Sequence, residues 1–192
     1  MIVLSCNNIS KAYIVDNIIE NISFTINDNE KIGLIGLNGA GKTTLFNVLT
    51  GELDYDSGEI VIPKNKKISY LKQNTKIESD KTIFEEMLTM FADIIAMENE
   101  LRQLEIQISK FTEHDEDGML TNLMDKYTIL NEKFVELDGF SYKSHIRGVL
   151  KGLSFNDDDF DKPINILSGG QKTRVMLAKL LLERADILLM DE

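Results

Sequence analysis

The sequence predicts an α/β domain: a parallel sheet built around a glycine loop, an antiparallel β subdomain before it, and an inserted helical hairpin. Three observations predict this. A β-branched run enters a glycine-rich loop and then a helix-compatible stretch over residues 31–49. A second apolar run, Ile187-Leu188-Leu189-Met190, ends in the acid pair Asp191-Glu192. Between them the apolar period changes at Thr82 from alternation to steps of three and four, and changes back after Gly139.

Taken in order, residues 2–13 and 18–26 are short β-branched runs joined through a polar turn near Asp16-Asn17, and Asn27-Asp28-Asn29 is a turn cluster. Residues 31–35 predict a strand that ends at the glycine loop, and residues 42–49 a helix. Strand-like runs at 59–62 and 67–71 flank Pro63-Lys64-Asn65. From Thr82, Met87, Met90, Ile94, Met97, Leu101, Leu104, Ile108 and Phe111 form a heptad seam, which predicts one helix of roughly 40 Å. A polar break over 112–118 follows, and the seam resumes through Leu120, Leu123, Tyr127, Leu130, Phe134 and Leu137. Two seams about a short break predict an antiparallel hairpin. Helices packed flat on the body are the alternative, but a two-sevenths stripe suits a two-helix seam better than a broad core face. Residues 144–153 predict an amphipathic helix. A further helix opens at Ser168-Gly169-Gly170 and runs to about Arg184, and the last strand starts at Asp186.

Composition bounds the function. A chain of 192 residues with 43% hydrophobic content suits one globular domain with a protruding subdomain. No apolar run approaches the roughly 18–20 residues that span a bilayer, so direct membrane insertion is not expected. The single cysteine, Cys6, excludes an intrachain disulfide, points to a reducing cytosol, and reads as a small buried residue rather than a nucleophile. Neither histidine has metal-site spacing. The net charge of −11 argues against a surface that coats nucleic acid. Residues 83–138 hold about 14 acidic and about 4 basic side chains, nearly the whole of that charge, so the rest of the chain is close to neutral.

Residues 36–43, Gly-Leu-Asn-Gly-Ala-Gly-Lys-Thr, complete the pattern G-x-x-x-x-G-K-[ST]. Gly36, Gly39 and Gly41 let the backbone curl its N–H groups inward at phosphate oxygens, with Asn38 and Ala40 between them. Lys42 is placed to reach the β- and γ-phosphates of a nucleotide. Thr43, followed by Thr44, is placed to ligate Mg²⁺, and the helix that begins there directs its positive end at the same anion. Asp191, closing an apolar strand, would lie at the C-terminal end of a parallel sheet and hold Mg²⁺ through water. Glu192 follows it, where it could polarise an attacking water. ATP and Mg²⁺ are the expected ligands.

Leu167-Ser168-Gly169-Gly170-Gln171 resembles the signature motif of the ABC ATPases, and its place between the phosphate loop and the acid pair is that family's order. The resemblance implies two nucleotide-binding domains that close head to tail. Ser168, Gly169, Gly170 and Gln171 would then touch a nucleotide held by a second ABC domain, in keeping with the free N–H groups that open a helix. An ordinary serine N-cap fits the position too, but does not explain the paired glycines. By the same resemblance Gln73 is the glutamine that senses Mg²⁺ and the attacking water. Tyr13, about 23 residues before the loop, is the aromatic that stacks on adenine, with a core tyrosine as the competing reading.

The insertion of about 95 residues between Gln73 and the signature, the wording Tyr70-Leu71-Lys72-Gln73, and the run Leu-Ser-Gly-Gly-Gln-Lys-Thr-Arg-Val-Met-Leu-Ala over 167–178 look like the F subfamily. Its members are twin-domain proteins, several acting on the ribosome as translation or antibiotic-protection factors. The resemblance divides the chain into a β subdomain and phosphate-loop core (1–81), a helical arm (82–139), and the signature helix with the acid-ended strand (140–192). An acidic arm would be repelled by rRNA and suits a basic ribosomal protein better. The ATP-binding subunit of a membrane transporter and a chromosome-maintenance ATPase are the alternatives. The family pattern continues beyond its acid pair with a further core strand and a γ-phosphate histidine. The chain is therefore expected to be a fragment with an incomplete core, about the first two-fifths of a longer protein and inactive as an ATPase by itself.

Overall fold

The computed structural model describes residues 1–13, 16–72, 77–111 and 118–191, with Asp16 described by its backbone alone. Two compact units result: residues 1–76 with 183–192, and residues 77–182.

In the first unit, β1 (Ile2–Tyr13) and β2 (Asp16–Asn27) form an antiparallel hairpin, and β3 (Ser57–Val61) pairs with the other side of β1, giving the order β2-β1-β3. Tyr13 pairs with Asp16 and Ala12 with Asn17, so Asp16 and Asn17 belong to β2 rather than to the turn read from sequence. Val3, Leu4 and Cys6 are buried, with Ser5 between them only partly so. The register shifts beyond Cys6, where Asn8 takes φ 51°, and this bulge turns Ile9 to the core in place of residue 8. Cys6 is buried, as its sequence context predicts, and burial pushes its thiol up to about 11. A second, parallel sheet pairs β4 (Ile68–Leu71) with β5 (Ile187–Met190), residue for residue from Ile68↔Ile187 to Leu71↔Met190. Helix α1 (Lys42–Leu49) lays Leu45, Val48 and Leu49 into the core formed with Leu4, Ile9, Ile19, Ile187 and Leu189.

The strand expected over residues 31–35 is not formed. Ile32, Leu34 and Ile35 are 58%, 43% and 95% exposed, and no described residue joins the segment in a ladder. β-branched composition supplies propensity only; a strand exists through its partner's backbone groups.

In the second unit the long first helix is interrupted. The seam from Thr82 divides into α2 (Ile83–Leu88), a 3₁₀ turn (Thr89–Phe91) and α3 (Ala92–Ile108). α2 begins with a capping box in which the Thr82 hydroxyl and the Glu85 carboxylate satisfy each other's backbone N–H. At its far end the Thr89 hydroxyl donates back to the Glu86 carbonyl at 2.6 Å. The expected single helix of roughly 40 Å is therefore a short root and a 17-residue helix of about 26 Å. α4 (Met119–Glu136) runs back along α3: Leu101, Leu104, Leu123 and Phe134 are buried, and Tyr127 donates to Glu105 at 3.0 Å. Met119, Met124, Ile129 and Val135 stay exposed on α4. The hairpin shares its unit with α5 (Tyr142–Gly152) and α6 (Gly169–Leu182), and α2, α5 and α6 enclose a core around Ile83, Met87, Ile146, Leu150, Ile164 and Val175.

A half-buried ion pair, with Glu86 buried and Lys179 partly exposed, ties α2 to α6. Lys179 donates to Glu86 at 2.5 Å and Ser79 donates to the same carboxylate at 3.0 Å. Burial pushes the Glu86 carboxyl up, but the Lys179 and Ser79 contacts outweigh it and leave the pKa below the usual glutamate value. A lowered folded pKa means that the pair's stabilisation is present above the unfolded glutamate pKa and is lost as pH falls through the folded one. Lys179→Met takes the cation from a buried carboxylate, leaving Ser79 as its donor, and is expected to weaken the packing of α2 on α6 by about 2 kcal/mol. Amide hydrogen exchange of both helices measures this; unchanged protection would show that the pair contributes nothing.

Candidate functional site: the phosphate loop and its carboxylate

The loop bends through the backbone of residues 37–41. Ala40 N–H donates to the Leu37 carbonyl at 3.1 Å, and Gly39 and Gly41 take φ 84° and 87°. Gly41 is the N-cap of α1 and supplies no side-chain acceptor, so the first N–H groups of that helix face outward without an internal cap. A Cβ at Gly41 would lie 2.9 Å from both the carbonyl oxygen and Cγ2 of Ile18, so the loop and β2 meet at a distance only glycine permits. The Lys42 ammonium donates to the carbonyls of Gly36 and Leu37, at 2.8 and 3.2 Å, which holds it over the loop.

Asp191 comes to this loop across 148 residues of sequence. Its backbone N–H extends the ladder by donating to Leu71 at 3.0 Å. Its carboxylate, 7% exposed, accepts the Thr43 hydroxyl on Oδ2 at 2.7 Å and the Tyr70 hydroxyl on the same oxygen at 3.1 Å. Burial first, and then the Asp191 charge, pushes the Tyr70 phenol up to about 12, so it remains a donor. A threonine hydroxyl beside a buried carboxylate is an oxygen donor set that fits a hard divalent cation such as Mg²⁺ next to a polyphosphate.

One cavity of about 380 Å³ gathers eight of the residues read from the sequence. Tyr13 and Ile18 line one part of it; Asn38, Gly39, Gly41, Lys42, Thr43, Thr44 and Asp191 line the rest. Gly36 contributes through its carbonyl under Lys42, and Ala40 through the turn. Ile18 and Tyr70 were not singled out as site residues from sequence; the close approach of Ile18 to Gly41 and the register of β4 against β5 bring them in. Gln73 and Glu192 lie outside the described residues. A second cavity of about 330 Å³ lies in the hairpin among Glu105, Ile108, Ser109, Met124 and Tyr127. Glu105 is its one charged group, and an anionic side chain is the wrong sign for a polyphosphate.

The Ser168–Gln171 motif lies in the other unit, where it opens α6. Ser168 N–H donates to the Gln171 side chain at 3.0 Å and Gln171 N–H donates to the Ser168 hydroxyl at 3.3 Å, a reciprocal capping box. Gly169 and Gly170 are exposed, and a Cβ at either would meet nothing within 4 Å. Packing inside the chain thus gives no reason for either glycine.

The profile of the ABC transporter family matches residues 19–192. The chain is 40% identical over its whole length to the ATP-binding protein YdiF of Bacillus subtilis, of which it spans 29%. It is 32% identical over 96% of its length to ABC transporter F family member 2 of Arabidopsis thaliana, of which it spans 27%. It therefore covers about three-tenths of these relatives. A solved ATP-binding subunit of an ABC transporter superposes on 99% of the chain and 66% of its own length, with a TM-score of 0.64 at 18% identity, a likeness of fold alone. No helix among the described residues is long and apolar enough to cross a membrane. With its phosphate loop, its Asp191 and its signature helix, this chain belongs to the ABC transporter family as a mixed α/β ATP-binding domain, and its relatives include members of the F subfamily.

Proposed function

We propose that this domain, within the full-length protein, binds ATP with Mg²⁺ and hydrolyses it while closed head to tail on a second ABC domain. The contact between Thr43 and Asp191, inside the cavity that also holds Lys42 and Tyr13, carries the reading. In it Tyr13 stacks on adenine, the N–H groups of residues 36–41 and the Lys42 ammonium take the phosphates, and Thr43, Asp191 and Gln73 face the cation. When bound, Mg²⁺ neutralises charge on the phosphates. Glu192 accepts a proton from the attacking water. Ser168, Gly169, Gly170 and Gln171 meet the γ-phosphate on the partner domain. The open backbone at both glycines supports that outward role.

Lys42→Ala in the full-length protein is expected to weaken ATP binding by at least about tenfold, through loss of a charge-assisted phosphate contact. Titration with labelled ATP measures it, and equal affinities would overturn the assignment.

The cellular task we propose is that of an F-subfamily protein of the cytoplasm acting on the ribosome. By its acidity the hairpin supports this over a transporter subunit. Its exposed Met119, Met124 and Ile129 among carboxylates suit a basic protein with apolar side chains. Co-sedimentation with ribosomes tests it: binding that survives RNase treatment supports protein recognition, complete loss assigns the contact to RNA, and no co-sedimentation refutes the ribosomal task.

A further inference from the structure

We propose that Tyr70 is a positioning residue for Asp191, its hydroxyl holding the carboxylate in the orientation that faces Thr43. The inference rests on the ATP·Mg²⁺ reading of the site and adds a residue to it. Tyr70 pairs with Leu189 in the parallel ladder, so its Cα lies beside β5 two residues before Asp191. From there the side chain reaches forward, and its hydroxyl donates to Asp191 Oδ2 at 3.1 Å, the oxygen that also accepts the Thr43 hydroxyl at 2.7 Å. The ring is fixed independently of that bond. Phe46 of α1 meets it edge-on at 5.6 Å and 66°, and the Lys72 ammonium lies 5.8 Å from its centre. α1 carries Thr43 one turn before Phe46, so a single aromatic side chain spans the helix that begins at the phosphate loop and the carboxylate opposite it.

Core packing alone would be served by phenylalanine. The hydroxyl needs a different account, and Asp191 gives it. A buried carboxylate on a short strand end can rotate about χ2, and each rotation changes which oxygen meets the cation. Two donors on one oxygen remove that freedom. Thr43 can donate its proton to Oδ2 while its lone pairs face a cation, whereas Tyr70 donates to the carboxylate alone and makes no claim on the metal. Outer-shell donors of this kind orient a ligand set and sharpen its preference for one geometry.

Tyr70→Phe keeps the ring and removes the donor. In the full-length protein, ATP affinity in EDTA is expected to stay within about twofold of wild type. With ATP saturating and Mn²⁺ as a spin-resonance probe, the metal concentration for half-occupancy is expected to rise about five- to tenfold, at or just below the lower end of the range for outer-shell partners because Asp191 acts through water. The melting temperature of the metal-free protein is expected to change little. An unchanged Mn²⁺ midpoint, or an equal loss of ATP affinity with and without metal, overturns the inference and leaves Tyr70 a packing residue. Failure of the wild-type protein to bind ATP in either condition would instead overturn the underlying site assignment, and is seen before any variant is compared.

Discussion

Glu192→Gln in the full-length protein is expected to leave ATP bound and reduce its hydrolysis by about 10²–10⁴-fold. The amide matches the carboxylate in size, so the fold around the end of β5 is preserved, but it cannot accept the proton of an attacking water. Asp191 immediately before it is pinned by Thr43 and Tyr70, which fixes the backbone from which residue 192 departs. Single-turnover phosphate release reads the chemical step, and retention of labelled nucleotide on a size-exclusion column reads the trapped complex. A variant that releases phosphate at the parental rate would remove Glu192 from the catalytic role and move the search for the base to another residue.

Gly41→Ala is expected to cost more ATP affinity than Gly39→Ala, although both glycines hold nearly the same φ, 87° and 84°. The left-handed backbone penalises either alanine by about 1–2 kcal/mol. At Gly39 that is the whole effect, since nothing lies within 4 Å of the added carbon. At Gly41 the new methyl meets the backbone oxygen of Ile18 at 2.9 Å, and a backbone atom within β2 gives way less readily than the end of a flexible side chain. The loop must retreat from β2, and α1 with Lys42 and Thr43 retreats with it. The expected loss of affinity is at least about tenfold at Gly41 and several-fold less at Gly39. Calorimetric ATP titration of the two variants decides it; equal losses would show that backbone conformation, rather than the wall formed by Ile18, controls the loop.

These effects divide along what is local in the sequence and what is not. The α1 boundaries at Lys42 and Leu49, the β1 and β2 runs, and the start of α6 at Gly169 were legible because glycines, caps and alternation act over a few residues. The strand over 31–35 was not, because its apolar, β-branched residues promise a strand that only a neighbouring backbone can complete. The break at residues 89–91 was hidden for the opposite reason. Met87, Met90 and Ile94 keep the seam's spacing straight through it, and spacing does not distinguish one tight turn from a continuous helix. Tyr70 stood in plain view three residues before Gln73, yet its bond to Asp191 depends on a ladder between segments some 120 residues apart.

That 3₁₀ turn has a mechanical meaning. It joins a root, α2, held by a buried core and the Glu86–Lys179 pair, to a straight rod of about 26 Å, α3. A joint at the base of a rod multiplies small angles. The base of α3 is still held beyond the turn, since Phe91 packs on Tyr142, Ile94 and Ile95 pack on the core, and Glu98 accepts the Tyr142 hydroxyl at 2.7 Å; a rotation of about 10° past Glu98 would carry the far end of α3 through about 2–3 Å. The near end of the hairpin is thus clamped twice, through Glu86 of α2 to Lys179 of α6 and through Glu98 of α3 to Tyr142 of α5.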